Sequence, residues 1–257
     1  MPGVRRACRI FARPRGDAWL TPSVLEVRDL VSGYGEIDVL RGLSASFAPH
    51  RITTIIGANG AGKSTFLKTV FGMLPARQGS VHFDGIEITR WPSKRVLSAG
   101  IAYVPQGRCN FPGMSVQDNL LVSVDHRPRA RAGPSLESVY AEFPLLAEKR
   151  SSLAGNLSGG QQQILEMAMA LLQEPRLLLI DEPSLGLSPA MLDQVFDRVV
   201  KIASTRDVTV VMVEQNAKQA LAISERGIVL ELGQARMEGA SAELLTHPGI
   251  RALYLGG

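Results

Sequence analysis

The chain has 257 residues, of which 45% are apolar and 20% charged. These values are typical of a folded globular protein with one large α/β domain or two small ones, and they exclude a wholly disordered chain. The longest apolar runs are far shorter than the roughly 20 residues that span a bilayer, which excludes a membrane-spanning helix.

The net charge of +4 resides in the first 20 residues, which contain five arginines and one aspartate. Residues 21–257 hold 23 basic and 23 acidic side chains, so this part is neutral and no basic groove for nucleic acid is expected. We interpret residues 1–21 as a disordered basic extension or as the product of a start assigned too far upstream; an arginine-rich organellar transit peptide is the alternative. The chain has two cysteines, Cys8 and Cys109, whose spacing is not that of metal ligands. So few cysteines predict no disulfide framework, which is typical of a protein in a reducing compartment.

Three strands are predicted in the first part of the chain. Residues 24–31 alternate between apolar and polar side chains, as a half-exposed strand does, and residues 40–47 and 52–56 predict two more. Tyr34 lies between two glycines in a turn after the first strand. Its ring is equally suited to stacking on a planar base and to packing on the core, so both interpretations stay open.

A glycine-rich stretch, Gly57 to Thr65, follows the third strand and precedes a helical pattern, and it fits G-x-x-x-x-G-K-[ST]. Glycines let successive backbone N–H groups turn towards an anion, and the start of a helix adds the positive end of its dipole. Lys63 supplies a cationic donor for the outer phosphates, and the Ser64 hydroxyl is a ligand for Mg²⁺. The sequence therefore predicts a nucleoside-triphosphate site formed by Gly57, Ala58, Asn59, Gly60, Ala61, Gly62, Lys63, Ser64 and Thr65.

The middle of the chain changes from strands to helices. Residues 79–85 predict a strand with a turn, and residues 101–104 predict a short strand that ends before Gln106, at the sheet edge where ligands of α/β proteins bind. Helices are predicted at 115–124 and 135–143. The Pro- and Arg-rich residues between them predict a solvated loop or, alternatively, a contact with an acidic partner or lipid headgroups.

A second glycine-containing helix start follows. Ser158, Gly159 and Gly160 precede an amphipathic helical pattern that continues to Leu172. This segment is either a second phosphate-binding helix start or a plain N-cap with flexible glycines.

Two carboxylates end the next predicted strand. The apolar run at 177–180 predicts a buried parallel strand that leads to Asp181 and Glu182. Because side chains alternate along a strand, these two residues are expected to have different functions. Asp181 is placed to hold Mg²⁺ beside Ser64, and Glu182 to orient the water that attacks the γ-phosphate.

The last part of the chain continues the alternation of helix and strand. Pro189 follows the N-cap residue Ser188 and opens a helix through Val200. The remaining predicted elements are a buried strand at 208–213, a helix at 217–223, a hairpin around Gly233 and a short helix at 242–245.

The order and spacing of five motifs resemble those of an ATP-binding cassette (ABC) ATPase over residues 24–257. The run Leu-Ser-Gly-Gly-Gln is the most specific, since other P-loop kinases and GTPases lack it. The runs Tyr-Val-Pro-Gln-Gly-Arg, Val-Glu-Gln-Asn and Tyr-Leu-Gly-Gly are similar to the LivF type, one of the two ATPase subunits of branched-chain amino-acid importers. The five motifs are Tyr34, residues 57–65, Gln106, residues 157–161 and residues 177–182.

The resemblance implies the fold of a P-loop NTPase of the α/β class. The expected ABC ATPase domain covers residues 22–257, with a central, mostly parallel sheet, an N-terminal antiparallel β subdomain and an inserted α-helical subdomain at about residues 107–172. Two such domains are expected to pack head to tail and to bury two ATP molecules, so that ATP binding favours the closed dimer.

The resemblance also implies a role for each candidate residue. Tyr34 would stack on adenine, residues 57–65 would bind the phosphates, and Glu182 would be the catalytic base. Residues 106–124 would face a membrane subunit. The ligands of Mg²⁺ or of its waters would be Ser64, Gln106 and Asp181, and the γ-phosphate of the neighbouring domain's ATP would be reached by Ser158, Gly159 and Gly160.

Two positions depart from the family pattern. Gln215 follows the last core strand, where most members carry a histidine. Its amide can donate a hydrogen bond to the γ-phosphate but cannot titrate near neutral pH, so we expect hydrolysis to persist with Gln215 as a catalytic residue beside Glu182. Met169 stands where the family often carries an arginine.

The resulting expectation is an ATPase subunit at the cytoplasmic face of the inner membrane that uses ATP and Mg²⁺ to power the import of branched-chain or related amino acids. The expected partners are transmembrane permease subunits, a second ATPase subunit and, indirectly, a periplasmic or extracellular substrate-binding protein. The two ATPase subunits would form a homodimer or, in keeping with LivF, a heterodimer. No nucleic acid partner is expected. The alternatives are an importer of urea or short amides, and a soluble cassette protein that acts on nucleic acid or ribosomes.

Overall fold

Two β-sheets and the surrounding helices form the fold in the computed structural model, which describes residues 23–107, 109–124 and 135–255. The predictions for residues 1–21 and for a loop at 125–134 fall outside these ranges. The described strands, numbered in chain order, are β1 (Leu25–Tyr34), β2 (Ile37–Phe47), β3 (Ile52–Ile56), β4 (Ala76–Phe83), β5 (Ile86–Glu87), β6 (Ile101–Val104), β7 (Leu177–Asp181), β8 (Thr209–Glu214), β9 (Arg226–Glu231) and β10 (Gln234–Ala240). The described α-helices are α1 (Lys63–Val70), α2 (Ser93–Ser98), α3 (Val116–Val124), α4 (Leu136–Glu142), α5 (Pro144–Glu148), α6 (Gly159–Leu171), α7 (Pro189–Thr205), α8 (Ala217–Ala222), α9 (Ser241–Thr246) and α10 (Pro248–Ile250). A 3₁₀ helix at Ala154–Asn156 and a π-helix at Arg251–Leu255 complete the helical elements of the described residues.

The first sheet is antiparallel and has the strand order β2-β1-β4-β5, which confirms the predicted N-terminal β subdomain. β1 extends to Tyr34, beyond the predicted end at residue 31, and Tyr34 pairs with Ile37 across the hairpin turn. Register shifts between Val27 and Leu30, after Leu30 and after Ser32 break the period of two. The alternation in the sequence therefore ends before the strand does.

The second sheet confirms the predicted central, mostly parallel sheet. Its strand order is β10-β9-β3-β8-β7-β6, in which β9, β3, β8, β7 and β6 run parallel and β10 is an antiparallel edge strand. Every residue of β3, β7 and β8 is buried, as expected for central parallel strands that are covered on both faces.

The helices α3, α4, α5 and α6 lie between β6 and β7 in the chain and share one apolar core with α7. α3 and α4 correspond to the predicted helices, whereas α5 was not predicted because Pro144 begins it immediately after Phe143 ends α4. The boundaries of the helical subdomain at residues 107 and 172 stay a prediction. Among the described helices, none is long and apolar enough to cross a bilayer.

Helix α1 joins the two sheets into one core. Its Phe66 side chain is fully buried, and the centroid of the Phe66 ring lies 5.8 Å from that of Phe47 in β2. The same apolar cluster contains Ile55 of β3 and Leu179 of β7. Burial of these side chains fixes the start of α1, and the loop before it, against the edge of the parallel sheet.

Gly57, directly after β3, approaches β9 so closely that an added Cβ would collide with the carbonyl oxygen of Leu230. We predict that Gly57→Ala lowers the free energy of unfolding by about 1–3 kcal/mol, because backbone must shift to admit the methyl group. Gly113→Ala is the control, since a Cβ there meets no atom within 4 Å. Urea unfolding without nucleotide measures both variants, and equal effects would contradict the close approach.

Candidate functional site

The predicted site residues lie where three neighbouring strands of the parallel sheet end. β3 ends at Ile56 and leads into the loop at residues 57–62, while β7 ends at Asp181 and β8 at Glu214. Ile56 pairs with Glu214, and Asp181 pairs with Val213, so the three ends lie within one residue of the same level. The structure therefore brings the glycine-rich loop and the carboxylates to one edge of the sheet, where ligands of such sheets bind.

The glycine-rich loop passes into α1 at Lys63, as predicted. Gly60 and Gly62 have φ values of 79° and 105°, in the left-handed region that glycine tolerates. Gly62 is the N-cap, and no side chain among the described residues caps the helix, so the N–H groups of the first turn lack a side-chain acceptor there. A helix start of this kind is suited to binding an anion.

The Lys63 side chain folds back over the loop and is only 4% exposed. Its Nζ donates to the carbonyl oxygens of Gly57 at 2.9 Å and Ala58 at 3.4 Å. It also lies 3.3 Å from Oε1 of Glu182, which is itself buried. This ion pair joins the loop to the end of β7, and the sequence analysis did not predict it.

Asp181 is fully buried and held from two sides. The Ser64 hydroxyl donates to Oδ1 at 2.8 Å, so these two residues meet as predicted. The Tyr103 hydroxyl donates to Oδ2, also at 2.8 Å. Burial and the adjacent Asp181 charge raise the pKa of Tyr103, which keeps the phenol a neutral donor. The sequence analysis missed Tyr103, although it lies in the short strand that precedes Gln106.

Glu182 has different partners from Asp181, in line with the expectation of separate functions. Its Oε2 accepts a hydrogen bond from Nε2 of Gln106 at 2.7 Å, and its Oε1 faces Lys63. The backbone of Glu182 has a φ of 46°, outside the extended region of the strand that ends at Asp181. Gln106 therefore contacts Glu182 directly rather than the pair formed by Ser64 and Asp181.

Other predicted residues lie apart from this cluster. Tyr34 is 48% exposed at the β1–β2 hairpin of the antiparallel sheet. Ser158 caps α6 in a capping box with Gln161, a geometry that both interpretations of this segment share. Within the described chain, no hydrogen bond joins Ser158, Gly159 or Gly160 to the glycine-rich loop. Their contact with a phosphate stays a prediction.

Gln215 is exposed just after β8, and the residue before it is a carboxylate that sequence analysis did not single out. Glu214 is fully buried and accepts hydrogen bonds from the loop after β7 and from the loop after β8. Two sequence signals pointed to it without giving it a role: its membership of the Val-Glu-Gln-Asn run, and its place at the end of an apolar run, the same position that Asp181 has in β7.

The segment after Gln106 is fastened to the helices by two polar side chains. Oε1 of Glu166 in α6 accepts the N–H groups of Cys109 at 2.7 Å and Asn110 at 3.2 Å. The amide of Asn119 in α3 pairs with both backbone groups of Phe111, at 2.8 and 3.0 Å. Residues 109–111 thus have a fixed backbone, while the Phe111 ring stays 48% exposed.

Comparisons with known proteins give a consistent result. The family model described as ABC transporter matches residues 40–185. The high-affinity branched-chain amino acid transport ATP-binding protein BraG of Pseudomonas aeruginosa is 42% identical over 224 residues, which cover 87% of this chain and 96% of the relative. The probable branched-chain amino acid transport ATP-binding protein LivF of Archaeoglobus fulgidus is 35% identical and covers 91% of this chain and 99% of its own length.

A solved structure extends the likeness to the fold and the ligand. It is the ADP conformation of MJ1267, described as an ATP-binding cassette of an ABC transporter. The TM-score is 0.79 at 27% sequence identity, over 92% of this chain and 100% of that chain. A nucleotide-bound cassette is thus among the structures that this fold resembles.

We predict that Tyr103→Phe lowers the free energy of unfolding by about 1.5–3 kcal/mol, because it removes a hydrogen bond to a buried charged carboxylate. Tyr140→Phe is the matched control: its buried hydroxyl has no hydrogen-bond partner in the described part of the chain, so its loss should be neutral or stabilising. Urea unfolding compares the two variants. If Tyr103→Phe cost no more than Tyr140→Phe, the bond to Asp181 would not contribute.

Proposed function

This chain belongs to the ABC transporter family, and we propose that it is the ATP-hydrolysing subunit of an importer of branched-chain amino acids. Binding and hydrolysis of ATP follow from membership of the family. The observation that carries the proposal is the meeting of Lys63, Ser64, Asp181 and Glu182 at one sheet edge. The cargo is inferred from two relatives whose names specify branched-chain amino acids.

The residues at this edge fit a magnesium ion. The Ser64 hydroxyl and Oδ1 of Asp181 are 2.8 Å apart beside the start of α1, and oxygen atoms of these types are the ligands that Mg²⁺ prefers. Tyr103 already orients the Asp181 carboxylate through its other oxygen. We propose Ser64 and Asp181 as ligands, with Gln106 beside a bound water. Bound there, Mg²⁺ would neutralise charge on the transferring phosphate.

Glu182 is the proposed general base. Its two oxygens face Nζ of Lys63 and Nε2 of Gln106. A triphosphate carries more negative charge than one carboxylate, so it attracts Lys63 more strongly and frees Oε1 of Glu182 to accept a proton from the attacking water. Gln106 keeps the other oxygen in place, and the exposed amide of Gln215 is proposed to donate to the γ-phosphate.

A second ATPase subunit is proposed to complete the site. Ser158 lies exposed at the start of α6, and the phosphate loop lies at the start of α1. Head-to-tail pairing of two subunits would place the α6 start of one against the nucleotide held by the other, with Tyr34 stacked on the adenine. The subunits are two copies of this chain or, as the likeness to LivF favours, this chain and a related ATPase.

The segment that follows Gln106 is the proposed contact with the permease subunits. The backbone of residues 109–111 is fixed by Glu166 and Asn119, and the segment exposes the apolar side chains of Phe111 and Leu121. Such a surface can pass on a movement of the nucleotide site, because Gln106 itself contacts Glu182. We place the subunit on the cytoplasmic face of the membrane, with the substrate-binding protein on the opposite face.

Replacing the proposed base tests the mechanism. We predict that Glu182→Gln still binds ATP but loses hydrolysis by roughly 10²- to 10⁴-fold, because the amide cannot accept the proton. Glu148→Gln, at an exposed position in α5, should hydrolyse ATP at the wild-type rate. Phosphate release and binding of labelled ATP are measured on both variants. Normal turnover by Glu182→Gln would remove it as the base.

Uptake by cells tests the cargo. We predict that deletion of the gene for this chain abolishes high-affinity uptake of radiolabelled leucine. Expression of the wild-type chain should restore uptake, whereas expression of Glu182→Gln should not. If urea uptake rather than leucine uptake depended on the chain, the assignment as a transport ATPase would stand but the proposed cargo would be wrong. Sedimentation of the chain with ribosomes or DNA rather than with membrane protein would contradict a role in transport.

A further inference from the structure

Glu214 is a fully buried carboxylate at the end of β8 that accepts four hydrogen bonds. Ser184 gives two of them, from its N–H to Oε1 at 2.9 Å and from its hydroxyl to Oε2 at 2.7 Å. The N–H groups of Gln215 and Asn216 donate to Oε2 at 3.0 and 3.3 Å. One side chain thus joins the loop after β7 to the loop after β8.

The donors around Glu214 are all neutral groups. Among the ion pairs of the described residues, none involves Glu214. Burial raises the pKa of this carboxyl group, and the hydrogen bonds from Ser184, Asn216 and Gln215 act in the opposite direction. A buried carboxylate without its donors is strongly disfavoured, so the two loops that provide them are held at a fixed separation.

The first of these loops begins at the proposed base. Glu182 has a φ of 46°, a conformation that a residue with a side chain keeps only where its surroundings impose it. Two contacts with β8 impose it here. The N–H of Glu182 donates to the carbonyl oxygen of Val213 at 2.9 Å, and Ser184, two residues later, is bound to Glu214. The backbone of Glu182 is therefore fixed twice, by its own N–H group and by the bond that Ser184 makes to β8.

We propose that Glu214 is a positioning residue that sets the separation of Glu182 and Gln215 for ATP hydrolysis. This inference rests on the proposed roles of those two residues. Glu214 acts through Ser184 on one side and through the backbone of Gln215 on the other, and it need not touch the nucleotide. A misplacement of about 1 Å costs on the order of 100-fold in rate, so loosening either loop should slow turnover far more than it weakens ATP binding.

Glu214→Gln is the main test, because it keeps the volume of the side chain but turns an N–H group towards donors. In the full-length chain, we expect kcat to fall roughly 10- to 100-fold while KM and the Kd for Mg·ATP stay within about threefold of wild type. Thr209→Val is the control in the same strand. Thr209 is buried at the opposite end of β8, where its hydroxyl oxygen accepts the N–H of His50 at 2.9 Å. This control should lose thermal stability but keep kcat.

Ser184→Ala gives a second test that does not disturb the buried carboxyl group. It removes the shortest of the four hydrogen bonds and should lower kcat by roughly 3- to 10-fold with an unchanged Kd. Because both residues act through one contact, the double variant should be no slower than Glu214→Gln within about twofold. If Glu214→Gln does not fold, the Ser184→Ala result alone decides.

Three outcomes would overturn the inference: a kcat of Glu214→Gln within twofold of wild type, an equal loss of kcat in Thr209→Val, or fully additive effects of Glu214→Gln and Ser184→Ala. These outcomes are separate from a failure of the proposed function. That failure would appear as Glu182→Gln hydrolysing ATP like the wild type, whatever the rate of the Glu214 variants.

Discussion

The buried ion pair between Lys63 and Glu182 is the contact on which the rest of the site depends. Its two partners come from the glycine-rich loop and from the end of β7, and both are almost fully removed from solvent. A buried charge without its counter-charge is strongly destabilising, so each side chain fixes the other. The pair also ties the cation suited to phosphate to the carboxylate suited to hydrolysis. Under the proposed function, phosphate binding and activation of the base are therefore linked by one contact.

The parallel register of the sheet is what makes this pair available. Ile56, Asp181 and Glu214 end three adjacent strands within one residue of the same level, and each is followed by a loop that carries candidate site residues. Burial of β3, β7 and β8 on both faces prevents a shift of these strands. Polar groups of the site can thus be placed by an apolar core that they hardly contact. Helix α1 adds the same constraint from the side of the loop, because Phe66 is locked between the sheets.

Patterns within short segments of the sequence predicted most of this arrangement. They did not predict the contacts between residues that lie far apart in the chain. The loop and the start of α1 are encoded by adjacent residues, and the structure has them as predicted. The hydrogen bond from Tyr103 to Asp181 joins residues 78 positions apart, and that from Ser184 to Glu214 joins residues 30 apart. Both depend on the register of β6, β7 and β8, which the composition of one strand does not specify. In β1, register shifts interrupt the period of two, so the alternation in the sequence did not show where the strand ends.

The site has a buried half and an exposed half, and this division suits a subunit that works by association. Lys63, Asp181 and Glu182 are held by contacts within the chain, whereas Tyr34 and Ser158 lie on the surface. Under the proposed function, Tyr34 contributes to nucleotide binding when the adenine stacks on its ring. Ser158 contributes only when a second subunit brings its nucleotide against the start of α6. Part of the binding free energy of ATP would then favour the closed pair, and loss of the γ-phosphate would remove that part. A site complete within one chain could bind ATP equally well, but it could not convert hydrolysis into separation of two subunits.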